Sequence, residues 1–325
     1  MRSETGIGAY PLKSTIESIL DCSTDEQKAE FLRQINESGN ANEIIAELAN
    51  IIKERATLSR IQGVSDIVGT GGDSKNTINV STAAAFVVSA MGVKIAKHGN
   101  FGATSNKGSA DFLKFLRYNF EMDQAALVKR ISDSSFAFIL APRFNDSFAK
   151  FAKARKMIPD KTAFNYLGPI TNPADPDVLM LGVTHEEISR LYMEYILVNN
   201  KRGCVIYSED GMDEVSPYSN TNVVLISEGK ASKMVINPEE IIGEKIGIEH
   251  ISSSEPETSF KLTVKGLEGT DTNAARFIAI NAALSLVING KFVDMEEAYR
   301  SALETISSGL VKQHMQKVME VASDV

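Results

Sequence analysis

Apolar residues recur at helical spacing through the first sixty positions. Ile16, Ile19 and Leu20 mark one stripe, Ala29, Leu32 and Ile35 a second, and Ile44, Ile45, Leu48, Ile51 and Ile52 a third. A repeat near 3.6 residues predicts amphipathic helices. Ser23-Thr24-Asp25-Glu26 fits a capping box ahead of the second stripe, and Gly39 stands where that helix would stop. Residues 1–12 read as irregular. The stripes of this helical unit are expected to pack on one another or on a second subunit.

From Ser65 the pattern becomes an alternation of short apolar runs and helical runs. Strands are predicted at 66–68, 93–96, 136–140, 179–183, 204–207 and 223–226, with helices at 83–91, 125–131 and 186–199. That alternation predicts an α/β fold with a mostly parallel sheet covered by helices. Glu228-Gly229 turns the chain into a further, antiparallel strand near 234–236. Residues 239–270 are polar and interrupted by glycine, and no element is assigned there. Asp271 caps a long helix containing Phe277, Ile278, Leu284 and Leu286. A last amphipathic helix over 295–306 ends near Gly309. A basic amphipathic run at 146–158, followed by Gly168-Pro169, breaks the alternation. The expected organisation is a small N-terminal helical domain, 1–63, with a contribution from 146–172, and a larger α/β domain, 64–325.

Composition narrows the function classes. The 325 residues carry a net charge of −8, which argues against a broad nucleic-acid surface. No apolar run is long enough to span a membrane, and the polar N-terminus lacks a signal-peptide core. Cys22 and Cys204 form neither a metal-type spacing nor a disulfide framework, so a cytoplasmic location is expected.

The candidate chemistry lies in 66–111. Gly69-Thr70-Gly71-Gly72-Asp73 follows a strand. Asn79, Ser81 and Thr82 open a helix, and Lys97-His98-Gly99-Asn100 and Gly108-Ser109-Ala110-Asp111 repeat the same plan. Glycines let backbone N–H groups approach a ligand, and helix N-termini add free donors and partial positive charge. Together these suit a phosphate. Ordinary strand–turn–helix joints, with Asn79, Ser81 and Thr82 acting only as caps, are the plain alternative. The first loop lacks both the Gly-x-Gly-x-x-Gly dinucleotide fingerprint and the Lys-Ser/Thr ending of a nucleotide-binding P-loop. Lys97 is expected to emerge at the sheet edge and neutralise a phosphate. A structural role, hydrogen-bonded to the loop, is expected for His98. Asp213-Glu214, after a predicted strand, is either a solvated turn or a pair of hard oxygen ligands for Mg²⁺.

Six motifs in this order resemble anthranilate phosphoribosyltransferases: Gly-Thr-Gly-Gly-Asp at 69–73, Asn-x-Ser-Thr-Ala at 79–83, Lys-His-Gly-Asn at 97–100, Gly-Ser-Ala-Asp at 108–111, Asn-x-Leu-Gly-Pro-x-Thr-Asn-Pro at 165–173 and Asp-Glu-Val-Ser-Pro at 213–217. The resemblance implies a fold like that of nucleoside phosphorylases and phosphoribosyltransferases, and a homodimer through the helical domain. It implies transfer of phosphoribose from 5-phosphoribosyl-1-diphosphate (PRPP) to anthranilate, with release of pyrophosphate, in tryptophan biosynthesis. It also implies that Gly69, Gly72, Asp73, Thr77, Asn79, Ser81, Thr82, Lys97, His98, Ser105 and Ser109 contact or border PRPP. Ser81 would help hold one Mg²⁺, and Asp213 and Glu214 another. Asn100 and Arg155 would meet anthranilate, with Arg155 facing its carboxylate.

The chain departs from that family at several positions. Phe101 stands where Arg is usual, Ser74 where a second glycine is expected, and Asn145-Asp146 where a His-Pro pair is common. Pro159 and Lys161 replace a common Gly and a common Arg. Phe101 is expected to line an apolar wall beside the acceptor. A relative with another acceptor, such as a nucleobase, and a noncatalytic nucleic-acid-binding relative are the alternatives at this point.

Overall fold

The computed structural model describes residues 12–102, 107–158, 162 and 164–320. The irregular start expected for 1–12 falls almost wholly outside them. The first described elements are three helices, α1 (Leu12–Cys22), α2 (Asp25–Glu37) and α3 (Ala41–Glu54). The capping box of α2 lies one residue later than expected. Thr24 Oγ1 accepts the Gln27 N–H at 3.3 Å, and Gln27 Oε1 accepts the Thr24 N–H at 2.9 Å. Gln27, not Glu26, occupies the third helical position, from which a side chain reaches back to the cap.

Seven strands follow: β1 (Ser65–Gly69), β2 (Ile95–Gly99), β3 (Phe136–Leu140), β4 (Val178–Gly182), β5 (Arg202–Ser208), β6 (Thr221–Ser227) and β7 (Lys230–Ile236). They form one sheet in the order β3-β2-β1-β4-β5-β6-β7. β1 to β5 are parallel, whereas β6 and β7 join as antiparallel neighbours. The α/β architecture with a mostly parallel sheet is therefore the one expected. The hairpin from β6 to β7 turns at Glu228 (φ 52°) and Gly229 (φ 71°), the two left-handed residues that a tight turn of matching twist requires. β2 extends beyond the expected 93–96 because Lys97 and His98 find backbone acceptors inside the fold and need not face water.

Side chains alternate across the sheet, and the two faces bury against different partners. Val178 and Met180 of β4 and Cys204 and Ile206 of β5 face a core built with α4 (Val80–Ala90) and the helix Thr272–Ile288. Leu179, Leu181 and Val205 face a second core shared with Ile16 of α1, Leu32 of α2, Leu48 of α3, and Phe151, Phe164 and Leu167. The helices α1–α3, with Phe151, Phe164, Leu167 and Ile170, thus lie on one face of the central strands.

Two readings of the C-terminal third need correction. The unassigned stretch contains helices Pro238–Ile242 and Pro256–Leu267, each with Pro at its start. The first is only five residues long, and Gly266 stands inside the second, so neither shows a clear apolar period. The helix Met295–Ser307 is not the last. After the turn at Gly309 (φ 79°), Leu310–Glu320 forms another helix, which buries only Val311, Met315 and Val318. Among the described residues no helix is long and apolar enough to cross a membrane.

Candidate active site

The strand order creates the site. The chain runs outward through β1, β2 and β3, then returns to β4 on the other side of β1. The C-terminal ends of β1 and β4 therefore flank a switch point, where diverging loops leave a crevice. Gly69 and Gly182 are register partners there. Asp213, on the turn after β5, lies directly over both. A Cβ at Gly69 would collide with the Asp213 carboxylate, and one at Gly182 with its carbonyl oxygen. Gly71 N–H donates to Asp213 Oδ2 at 2.6 Å.

Beyond β1 the chain bends through left-handed positions at Gly71, Gly72, Ser74 and Asn76. The bend brings Asp73 to Asp213 and Glu214, and one carboxylate oxygen from each lies within 4.8 Å of the others. Burial pushes Asp213 up to about 6, with Asp73 adding to the rise. Burial, then the charges of Asp213 and Asp73, push Glu214 well above the usual carboxylate range. Asp73 is raised mainly by burial. Thr77 Oγ1 donates to Glu214 Oε2 at 3.4 Å, and Lys75 N–H to Asp73 Oδ1 at 3.1 Å. Three crowded hard-oxygen donors that resist sharing negative charge fit a divalent cation such as Mg²⁺. Asp73, read from the sequence only as a PRPP contact, joins the acid pair. Ser81 sits in the first turn of α4 and is not hydrogen-bonded to the three acids.

The head of α4 carries no side-chain cap. Asn79 Nδ2 turns instead to Lys107 O at 2.9 Å and Gly108 O at 3.5 Å. Among the described residues, the buried side-chain oxygens of Thr70, Asn79 and Thr82 meet no hydrogen-bond partner, an arrangement that a polar ligand would relieve. Next to it, α5 (Ser109–Phe115) begins where Asp111 Oδ2 accepts the N–H groups of Gly102 (2.7 Å) and Gly108 (2.9 Å). This carboxylate closes the neck of the loop that contains Ser105, which lies outside the described residues, as do Pro159 and Lys161. Gly99 is held against the Ser109 hydroxyl and the Phe138 ring, with no room for a Cβ. Asn100 is exposed, and its Oδ1 accepts Phe101 N–H at 2.8 Å. Phe101 is 41% exposed and leans on Phe120 at 5.8 Å between ring centroids.

Lys97 does not emerge at the sheet edge. It is buried, and Nζ donates to Ile67 O at 2.5 Å. Burial lowers its pKa, against the pull of Asp66 and Glu214. His98 is buried too, and Nδ1 meets Gly168 O at 3.2 Å. Burial lowers it to about 4, so the ring is neutral and donates from Nδ1. Asp66, raised by burial to about 6, accepts His98 N–H at 3.2 Å and Asn172 Nδ2 at 2.8 Å. These residues form a rigid floor between β1, β2 and the Gly168-Pro169 turn.

Arg155 lies apart from the acids. With Ala152, Lys156, Thr162 and Asn165 it lines an open pocket of about 420 Å³. Its guanidinium sits over the Phe164 ring at 5.8 Å, and burial lowers its pKa. Among the described residues no carboxylate pairs with it. From the pocket residue Asn165 the chain runs through the short helix Phe164–Leu167 into Gly168, whose carbonyl meets His98. Asn145 is buried and bonded to Ile52 O and Ser147 N–H, so it ties α3 to the 146–158 region.

Residues 62–312 match the family model described as glycosyl transferase family, a/b domain. An anthranilate phosphoribosyltransferase of Picrophilus torridus is 38% identical over 295 residues, 90% of each chain. The chain belongs to the anthranilate phosphoribosyltransferase family. A crystal structure of the family member from Thermus thermophilus superposes with a TM-score of 0.88 at 29% identity, covering 96% of this chain and 94% of that one. The Saccharomyces cerevisiae member, in complex with PRPP and Mg, superposes at 0.84 and 27% identity, covering 97% and 92%. Of the residues that shape the site in this family member, Gly182 and Asp66 were not singled out from the sequence. Gly182 had only a weak signal, a glycine inside the predicted strand 179–183. Asp66 had none, because a lone acid at a strand start does not reveal its burial.

Proposed function

We infer that this chain transfers the phosphoribosyl group of PRPP to the amino group of anthranilate, releasing pyrophosphate, a step of tryptophan biosynthesis. The observation that carries the reading is the three-acid cluster at the β1/β4 switch point beside the uncapped head of α4. In this reading Gly69, Gly72, Thr77, Asn79, Ser81, Thr82, Ser105 and Ser109 surround PRPP. Lys97 and His98 support it from the floor, Lys97 by its bond to Ile67 O. Asp213 and Glu214, with Asp73 and Ser81, hold Mg²⁺. Bound there, Mg²⁺ neutralises diphosphate charge and favours its departure.

Displacement at the anomeric carbon develops positive charge on the ribose and negative charge on the leaving oxygen. The free N–H groups of the α4 first turn stabilise that negative charge without reorganising. An aromatic amine is uncharged near neutral pH, so no strong base is needed and positioning supplies much of the acceleration. Arg155 receives the anthranilate carboxylate with its planar fork of donors. Asn100 borders the acceptor, and Phe101 gives it an apolar wall.

The helical unit, 1–63 with 146–172, serves as the acceptor side against the PRPP-binding unit, 64–325. Assembly as a homodimer through the helical unit and a cytoplasmic location belong to the same reading and rest on family membership. Sedimentation at micromolar concentration checks the assembly, since a monomer there removes it. Incubation with PRPP, Mg²⁺ and anthranilate tests the activity. Loss of anthranilate fluorescence with release of pyrophosphate is expected. Turnover of another acceptor while anthranilate persists would overturn the acceptor assignment.

A further inference from the structure

The segment 251–263 is laid across the crevice loop. Ile78 N–H donates to Ile251 O at 2.9 Å, Ser253 N–H donates to Asn76 O at 3.0 Å, and Thr77 pairs with Ser252 in an antiparallel bridge. Lys107 Nζ adds a bond to Ser253 O. On the helix Pro256–Leu267, Ser259 and Thr263 stand one turn apart, both fully buried. Ser259 Oγ donates to Thr77 O at 3.4 Å. Thr263 Oγ1 donates to Ser259 O at 2.8 Å and accepts Asn79 N–H at 3.2 Å. A threonine bonded to the carbonyl one turn back is common in helices and needs no explanation. The second bond does, because it reaches a residue 184 positions away. Valine would fill the same space without burying a hydroxyl.

Asn79 sits at φ −73°, ψ 61°, the geometry of an inverse γ-turn, with Val80 N–H on Ile78 O at 2.7 Å. Its own N–H is taken by Thr263 and its Nδ2 by Lys107 O. Among the described residues, Asn79 Oδ1 and Thr82 Oγ1 are left buried and unpartnered. Among the described residues, no acceptor meets the Ser81 or Thr82 N–H.

We propose that Thr263 is a positioning residue for PRPP: its hydroxyl holds the Asn79 amide, and so fixes the turn that leaves Asn79 Oδ1 and the first amides of α4 open to the diphosphate sugar. The proposal rests on the PRPP reading above. It acts through Asn79, with no contact of its own to substrate.

The test titrates PRPP into the full-length protein with Mg²⁺ and no acceptor, by calorimetry, and then measures both Michaelis constants. Thr263→Val is expected to weaken PRPP binding roughly tenfold, with Thr263→Ser within about twofold of wild type and the anthranilate constant unchanged. If the valine variant does not fold, Thr263→Ala carries the same comparison. Wild-type PRPP affinity in the variant lacking the hydroxyl, or a serine variant as weak as it, overturns the proposal. A wild-type protein that binds PRPP without consuming anthranilate overturns the acceptor reading instead, and the PRPP titration still decides the role of Thr263.

Discussion

Gly71 donates its backbone N–H to Asp213 Oδ2 at 2.6 Å, across 142 positions of sequence. That bond locks the Gly-rich loop to the acid pair, and it depends on the glycines at 69 and 182 that let Asp213 approach the strand ends. Gly182→Ala is expected to cost about 2 kcal/mol, because its Cβ meets backbone and the turn must shift. The urea midpoint reads that loss, and a higher Mg²⁺ requirement for turnover accompanies it. An alanine variant with unchanged midpoint and Mg²⁺ requirement would show that the close approach is dispensable.

The three acids repel one another when no cation separates them. Asp213→Asn with Glu214→Gln is expected to lower turnover by about 100-fold or more. In EDTA the same variant should melt no lower than wild type, since two crowded carboxylates are gone. Mg²⁺ should then raise the wild-type melting temperature and leave the variant's unchanged, as expected of a ligand that binds only the folded state. Equal Mg²⁺ stabilisation in both proteins would remove these residues from the metal site.

Arg155 has a half-buried guanidinium that no carboxylate pairs with among the described residues. Arg155→Ala is expected to raise the anthranilate Michaelis constant about 10- to 100-fold, the range for a lost charge-assisted contact. The PRPP constant should hold. Steady-state kinetics with each substrate varied in turn separate the two. A shift confined to PRPP would place Arg155 elsewhere in the reaction.

His314 offers a pH test away from the crevice. Its Nε2 lies 2.8 Å from Ser89 Oγ, and burial, then Lys317, lowers its pKa to about 4 from an ordinary 6.5. The unfolded chain therefore takes the proton first as pH falls. Stability from this group is full above about 6.5 and is lost progressively toward 4, by about 2 kcal/mol after allowing for partial exposure. His314→Gln should flatten that part of the profile relative to wild type, leaving the slope due to His98 and the opposing contributions of the raised acids Asp66, Asp213 and Glu214. Parallel urea-midpoint profiles for wild type and variant between pH 7.5 and 4.5 would contradict the assignment.

Local pattern was enough for much of this protein. The apolar runs that became β3 and β4, the cap at Asp271 and the Gly-rich clusters at 69–73 and 108–111 were legible because strand alternation, capping and turn chemistry act over a few residues. The order of the motifs was sufficient to suggest the family. What the sequence could not determine was which loops meet. Asp73 joins Asp213 and Glu214, Lys97 turns inward to Ile67 O, and Thr263 reaches Asn79 only after the chain has returned across β1. Those contacts join residues far apart in sequence and leave no period to read. They were decided by strand order and by the burial of polar groups, which must find partners wherever the fold supplies them.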